Sequence, residues 1–239
     1  MKSVLRSLLG PFYSPLKEIY YYILKILFKS FLKRKGILVY LGINTGESFD
    51  RIYYKYKRVI GFEPNPENFY KLKKYNSIDG VTIYPYAVSD VEGEYDFYLP
   101  NNKNNDASAS LSDFSDARKW VNSVDTIKVK TVVLSKILKE NNIKFIDKYI
   151  SDIEGYDFTV LKTIEFMIKE KKIMSLQVEA VQNHVKNPFK SVTNFENEFD
   201  DLLLENYNKL ARGWGILEEG HQVPIKSKQF IIDLLYNLK

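Results

Sequence analysis

The stretch Val39-Tyr40-Leu41-Gly42-Ile43-Asn44-Thr45-Gly46-Glu47-Ser48 decides how the rest of the chain is read. An apolar run, Ile37–Leu41, meets two glycines and then a segment, Glu47–Tyr56, able to form a helix. Glycine lets the backbone turn sharply and lets a ligand approach where a Cβ would collide. The unpaired N–H groups of the helix that follows face whatever occupies the turn. Alone, this pattern fits a structural strand-to-helix turn as well as it fits a cofactor site.

Outward from that turn, strand and helix signals alternate. Arg58–Phe62 is a second apolar strand, and Asn65 with Pro66 opens a lysine-rich helix, Glu67–Tyr75, where proline suits the first turn. Val81–Tyr84 is a third strand. Glu94–Leu99 and Ile127–Val133 read as extended segments around a polar loop, Asn101–Ser115, long enough to act as a lid. Then follow helix Leu134–Glu140, strand Asp147–Ser151, helix Asp157–Lys169, strand Ile173–Ala180 and helix Phe195–Glu205. Leu210–Ile216 and Gln229–Leu235 read as an antiparallel closing strand pair. Repeated βα units predict an α/β fold: a mostly parallel sheet with helices on both faces. Ligands of such sheets sit beyond the carboxyl ends of the strands, near the switch point.

Residues 1–35 read as a separate amphipathic helical segment preceding an α/β domain over 36–239. Leu16, Ile19, Tyr20, Ile23, Leu24, Ile26, Leu27, Phe31 and Leu32 recur with a helical period, and Lys17, Lys25, Lys29 and Lys33 fall mainly on the other side. Residues 15–35 could dock on their own domain, dimerise, or lie peripherally in a membrane interface. Lys25 and Lys29 interrupt the apolar run, which is too short for a bilayer of roughly 30 Å. The first residues do not read as a signal peptide.

The 239 residues include no cysteine, which excludes disulfides, zinc–thiolate sites and cysteine nucleophiles and suits a cytoplasmic protein. The net charge of +5 is spread over 35 basic and 30 acidic residues rather than gathered into a stripe, so no nucleic-acid partner is expected.

Four carboxyl-edge positions carry chemistry. Glu63 closes the second strand, and an acid roughly 20 residues after a glycine turn can accept hydrogen bonds from two ribose hydroxyls. Pro64 and Pro66 pin the chain beside it. Asp152 and Glu154, in Ser151-Asp152-Ile153-Glu154-Gly155, face the same way if the backbone is extended. They could orient a hydroxyl acceptor, bind a divalent cation, or raise each other's pKa for proton transfer. Glu179 ends the next strand, and His184 follows it as a candidate general base.

Taken in order, these elements resemble the FkbM family of S-adenosylmethionine-dependent methyltransferases. The family reads D-I-G-A-N-x-G, F-E-P-x-P-x-N, A-V-S-D-x-x-G and K-x-D-x-E-G-x-E-x-x-V-L. The matching blocks are Leu41–Gly46, Phe62–Asn68, Ala87–Gly93, and Asp152–Asp157 with Val160-Leu161. The resemblance spans roughly residues 37 to 180 and implies a Rossmann-like class I methyltransferase fold. It implies S-adenosylmethionine as cofactor, with Gly42, Ile43, Asn44 and Gly46 at its methionine part, Glu63 and Pro64 at its ribose, and the Ala87–Ser89 turn beside its adenine. Asp152 and Glu154 would stand near the transferable methyl, and the acceptor would be a hydroxyl of a sugar, glycan or related small molecule. Three positions depart from the pattern. Tyr40 replaces the family's first acid, Ile150 replaces the lysine two before Asp152, and the usual acid near Leu134-Ser135 is missing. These departures leave room for a catalytically silent scaffold. A nicotinamide oxidoreductase would want G-x-G-x-x-G, which Gly42–Gly46 does not supply.

Overall fold

The computed structural model describes residues 36–100, 108–116, 123–217, 220 and 231–239, with Ile19, Tyr20, Tyr22, Ile23 and Ile26. Those five are helical and exposed; the rest of the expected 1–35 segment, the loop residues 101–107 and His221 lie outside the described residues. Among the described residues no helix is long and apolar enough to cross a membrane.

Seven strands form the main sheet: β1 (Ile37–Leu41), β2 (Arg58–Phe62), β3 (Val81–Tyr84), β7 (Lys148–Ser151), β8 (Ser175–Val181), β9 (Tyr207–Gly213) and β10 (Ile231–Leu238). Their order is β3-β2-β1-β7-β8-β10-β9. Only β10 runs against its neighbours, between β8 and β9. Between the first and second halves of that sheet the chain forms a smaller one, in which β6 (Val124–Val133) pairs with β4 (Ala87–Ser89) and β5 (Gly93–Pro100). The expected extended segments around the polar loop are β5 and β6. The expected Ala87–Ser89 turn is instead a strand, parallel to β6.

Two-residue alternation assigns each strand's side chains to opposite layers. Val39 and Leu41 enter the larger core with Ile60, Phe62, Tyr149 and Val178, while Leu38 and Tyr40 enter the second with Val59 and Ile150. The helices covering the sheet are α1 (Glu47–Asp50), α2 (Pro66–Leu72), α3 (Leu134–Glu140), α4 (Asp157–Thr163), α5 (Glu165–Lys169) and α6 (Glu196–Leu203). One expected helix, Glu67–Tyr75, is α2 continued by a 3₁₀ turn, Lys73–Ser77, and two more are broken. Glu47–Tyr56 is α1 followed by a 3₁₀ turn, Tyr53–Lys55, because Phe49, Ile52, Tyr53 and Tyr54 are all buried and span more circumference than one α-helical face. Phe49 and Tyr53 stack at 5.2 Å, and Tyr40 and Tyr75 meet Phe49 edge-on at 5.7 and 5.1 Å. Each such pair contributes about 1 kcal/mol beyond its buried area. Asp157–Lys169 is interrupted at Ile164 (φ −118°, ψ 20°), which lets Ile164, Met167 and Ile168 all reach the main core.

The chain order turns back at β1, which pairs with β2 on one side and β7 on the other. The switch-point crevice therefore opens where β1 and β7 end, at Gly42 and Asp152.

Candidate active site

Gly42 has φ +77°, and a Cβ added there would lie 1.9 Å from the Asp152 carbonyl oxygen. The glycine thus lets the loops after β1 and β7 touch, and the Asp152 N–H donates to the Leu41 carbonyl at 3.2 Å. Gly42 and Ile43 donate in turn to the Phe62 carbonyl, tying the turn to the tip of β2. Ile43 folds away from the crevice onto Gly61, where a side chain would come within 2.4 Å of its Cδ1. Gly46, at φ +95°, leads into α1 and gives room to Leu72 and Tyr75.

Glu63 is buried and spans this corner. Its two oxygens accept from the Asn44 N–H at 2.6 Å and the Asn65 N–H at 2.9 Å. Asn44, left-handed at φ 54°, also accepts from the Asn68 side chain at 2.8 Å. Asn65 caps α2 by accepting from the Glu67 N–H at 3.0 Å, with Pro66 in the first turn as the sequence predicts. Burial raises the Glu63 pKa to about 7, while the two N–H donors pull it back. A carboxylate has about four acceptor sites, so two remain for a ligand.

Across the crevice, the residues after β7 form a tight hairpin. Glu154 (φ 54°) and Gly155 (φ 102°) are both left-handed, and a Cβ on Gly155 would strike the Phe189 ring. Such a backbone at a non-glycine residue costs on the order of 1 kcal/mol and needs outside support. Asp157 supplies it: its carboxylate accepts from Ser151 Oγ (2.5 Å), Ile153 N (3.3 Å), Gly155 N (3.3 Å) and the Asn194 amide (3.4 Å). Burial raises the Asp157 pKa to about 6 against those donors. From above, Ser110 Oγ donates to the Glu154 carbonyl at 2.6 Å.

Between the two corners lies a cavity of about 100 Å³. Gly42, Asn44, Glu63, Pro64, Ala87, Asp152 and Glu154, all expected site residues, line it. Gly46 and Ile43 serve the packing behind it. Ser89 is buried, with its hydroxyl on Asp90, and lies outside the lining. Glu179 stands within reach of Asp152 and Glu154, their carboxylate oxygens lying within 4.8 Å of one another. His184 is exposed beyond β8 and outside the lining. Sequence reading placed Val88 at the site within Ala87–Ser89 but missed its apolar neighbours Tyr86, Phe97 and Leu111, and the amides of Asn65 and Asn68. Asn68 was visible as the last residue of the F-E-P-x-P-x-N block. Phe97 and Leu111 come from β5 and the tail of the polar loop, where no local pattern announces a binding wall.

The sheet order, one antiparallel strand and a crevice beside β1 define a class I methyltransferase fold. Within it, the chain belongs to the family described as the methyltransferase FkbM domain, whose model matches residues 42–209. Similar solved structures include the FkbM methyltransferase of Methylobacillus flagellatus, at 16% identity and TM-score 0.48, covering 94% of this chain and 52% of that one. The present chain thus spans about half the length of that protein. The N-methyltransferase NodS of Bradyrhizobium japonicum in complex with S-adenosyl-L-homocysteine is 10% identical with TM-score 0.43, covering 95% and 88%. Magnesium protoporphyrin IX methyltransferase of Synechocystis with bound S-adenosylmethionine is 7% identical with TM-score 0.42, covering 93% and 80%. No curated protein matches the chain.

Proposed function

We propose that this domain binds S-adenosylmethionine in the crevice and methylates a hydroxyl of a sugar, glycan or related small molecule. The observation that carries the reading is the facing of two unlike acid corners across one cavity: Glu63, anchored by two backbone N–H groups, and Asp152 with Glu154 at the other end. The residues fit the cofactor. Glu63 keeps free acceptor sites for ribose hydroxyls, and Ala87, Val88, Phe97 and Leu111 offer an apolar slot for a purine. When bound, S-adenosylmethionine supplies a methyl on a sulfonium, a good leaving group that departs as a neutral thioether.

The chain then has two tasks: to align the acceptor oxygen and to take its proton. Asp152 is open to the cavity and lies beside Gly42, so its carboxylate is our choice for accepting that proton. Glu154 and Glu179 back it; a divalent cation is the other way to balance their charge. His184 is exposed and outside the lining, so it is not preferred as the base. Asp152→Asn should lower turnover at least 100-fold, within the usual range for general-base loss, while S-adenosylhomocysteine still binds. Unchanged turnover in that variant would remove the assigned role.

The expected scaffold alternative rested on Tyr40 and Ile150. These residues are direct register partners on β1 and β7, and both enter the second apolar core. An acid and a lysine at those positions would form a buried ion pair. Exchanging such a pair for a packed apolar one is often neutral or stabilising. Read this way, the two departures are one compensated change, and neither needs the site to be silent.

A further inference from the structure

The large apolar side chains that stay exposed are not spread evenly over the described surface. Ile19, Tyr22, Ile23 and Ile26, helical and ahead of the domain, are between 43% and 65% exposed. Their spacing of i, i+3, i+4 and i+7 puts them on one helical face. A face this open is not buried by the described domain, and an apolar patch left in water marks a docking surface. Three more exposed apolar residues, Phe145, Met174 and Leu204, lie shortly before β7, β8 and β9. Those strands run parallel to β1, so the three stand at the amino edge of the sheet, where the chain from residues 1–35 enters β1.

Charge selects the occupant. Between Pro15 and Lys35 the sequence carries six basic residues, Lys17, Lys25, Lys29, Lys33, Arg34 and Lys35, against one acid, Glu18. A two-fold contact pairs a patch with itself, so a second copy would set these like charges over one another. A layer of anionic lipid headgroups is the complementary partner. Clusters of about four to eight basic residues on an amphipathic helix attract such a layer, and an aliphatic and aromatic face enters it. At the amino edge, exposed Lys144 and Lys171 stand within three residues of Phe145 and Met174, so the pairing of cation with apolar side chain continues on the domain.

We propose that the exposed helix face at Ile19–Ile26 docks this chain on a membrane rich in anionic lipid, with the amino edge of the sheet turned toward it. The four face residues enter the boundary between headgroups and acyl chains, about 5–10 Å deep, and the basic residues of the segment supply the attraction to phosphate. The crevice opens at the opposite, carboxyl edge and stays accessible from water. This docking is independent of the methyl-transfer reading.

The test is flotation of the full chain with vesicles of phosphatidylcholine alone, and with roughly one part in three of phosphatidylserine. The chain should float at least ten times more with the anionic vesicles, and roughly 0.5 M salt should release it. Ile19→Glu combined with Ile23→Glu should lower the floating fraction at least tenfold with an unchanged melting temperature, since both positions are exposed. Lys25→Gln combined with Lys29→Gln should lower it roughly tenfold. A chain that floats with neither kind of vesicle, or equally with both, would overturn the proposal, as would undiminished flotation of the isoleucine variant. Sedimentation without vesicles tests the other occupant. A dimer that the isoleucine variant dissociates would give this face to a second copy and overturn the lipid assignment. Should the isoleucine variant not fold, the lysine variant and the salt dependence decide.

Discussion

The two acid corners of one crevice are built on opposite principles. At Glu63 both carboxylate oxygens receive backbone N–H groups, and the Asn68 amide donates to the Asn44 side chain beside them. At Asp152, Glu154 and Glu179 like charges face one another, and one buried oxygen is unpartnered. A satisfied carboxylate holds a neutral polar ligand by hydrogen bonds without needing rearrangement. The crevice thus has a holding corner, dense in backbone donors, and a corner rich in carboxylates, which is the reaction corner of our proposal.

The largest effect should come from Asp157, which makes the reaction corner possible. Asp157→Ala leaves Ser151, Ile153, Gly155 and Asn194 without their shared acceptor. Several buried donors stranded together should cost about 4 kcal/mol of unfolding free energy. Denaturant titration measures it; a loss below about 1 kcal/mol would mean the hairpin stands without its clamp.

Next is the pairing beneath both corners. Tyr40→Asp alone should cost roughly 3 kcal/mol, because it buries a charge opposite Ile150. Adding Ile150→Lys should restore much of that loss. A double-mutant cycle with no favourable coupling would show the two departures to be unrelated.

The holding corner has a pH signature of its own. The Glu63 pKa is raised above its unfolded value, to about 7, so its contribution favours the fold below about pH 4.5 and is lost as pH rises through 7. On the order of 2 kcal/mol of ligand-free stability should disappear over that window, and Glu63→Gln should flatten this part of the curve. Cofactor affinity should run the other way, rising as the carboxylate ionises. Melting temperatures from pH 4.5 to 8, with and without S-adenosylhomocysteine, read both slopes; a ligand-free curve that rises with pH, unflattened in Glu63→Gln, would contradict the assignment.

Much of the holding corner was legible in the sequence, because its residues are local to short motifs. Gly42, Asn44, Glu63 and Pro64 lie just after two strands that an apolar pattern reveals, and the capping role of Asn65 follows from Asn-Pro at a helix start. The reaction corner was only half visible. Asp152 and Glu154 were read as a pair facing one way on extended backbone, yet Glu154 is left-handed, and the pair is aligned by Asp157 and Ser110. Asp157 could be read from the sequence only as a helix-start acid. Its bonds back to Ser151 and across to Asn194 arise from the hairpin's closure. The pairing of Tyr40 with Ile150 was likewise hidden, since register between strands more than a hundred residues apart is a property of the sheet.

The measurement that goes most directly to the centre is calorimetry of the full chain with S-adenosylhomocysteine, repeated on Glu63→Gln. One nucleoside should bind per wild-type chain, the variant should bind at least tenfold more weakly, and NAD should give no heat. No binding to the wild-type chain, or equal binding to the variant, would contradict a methyl-donor site built around Glu63.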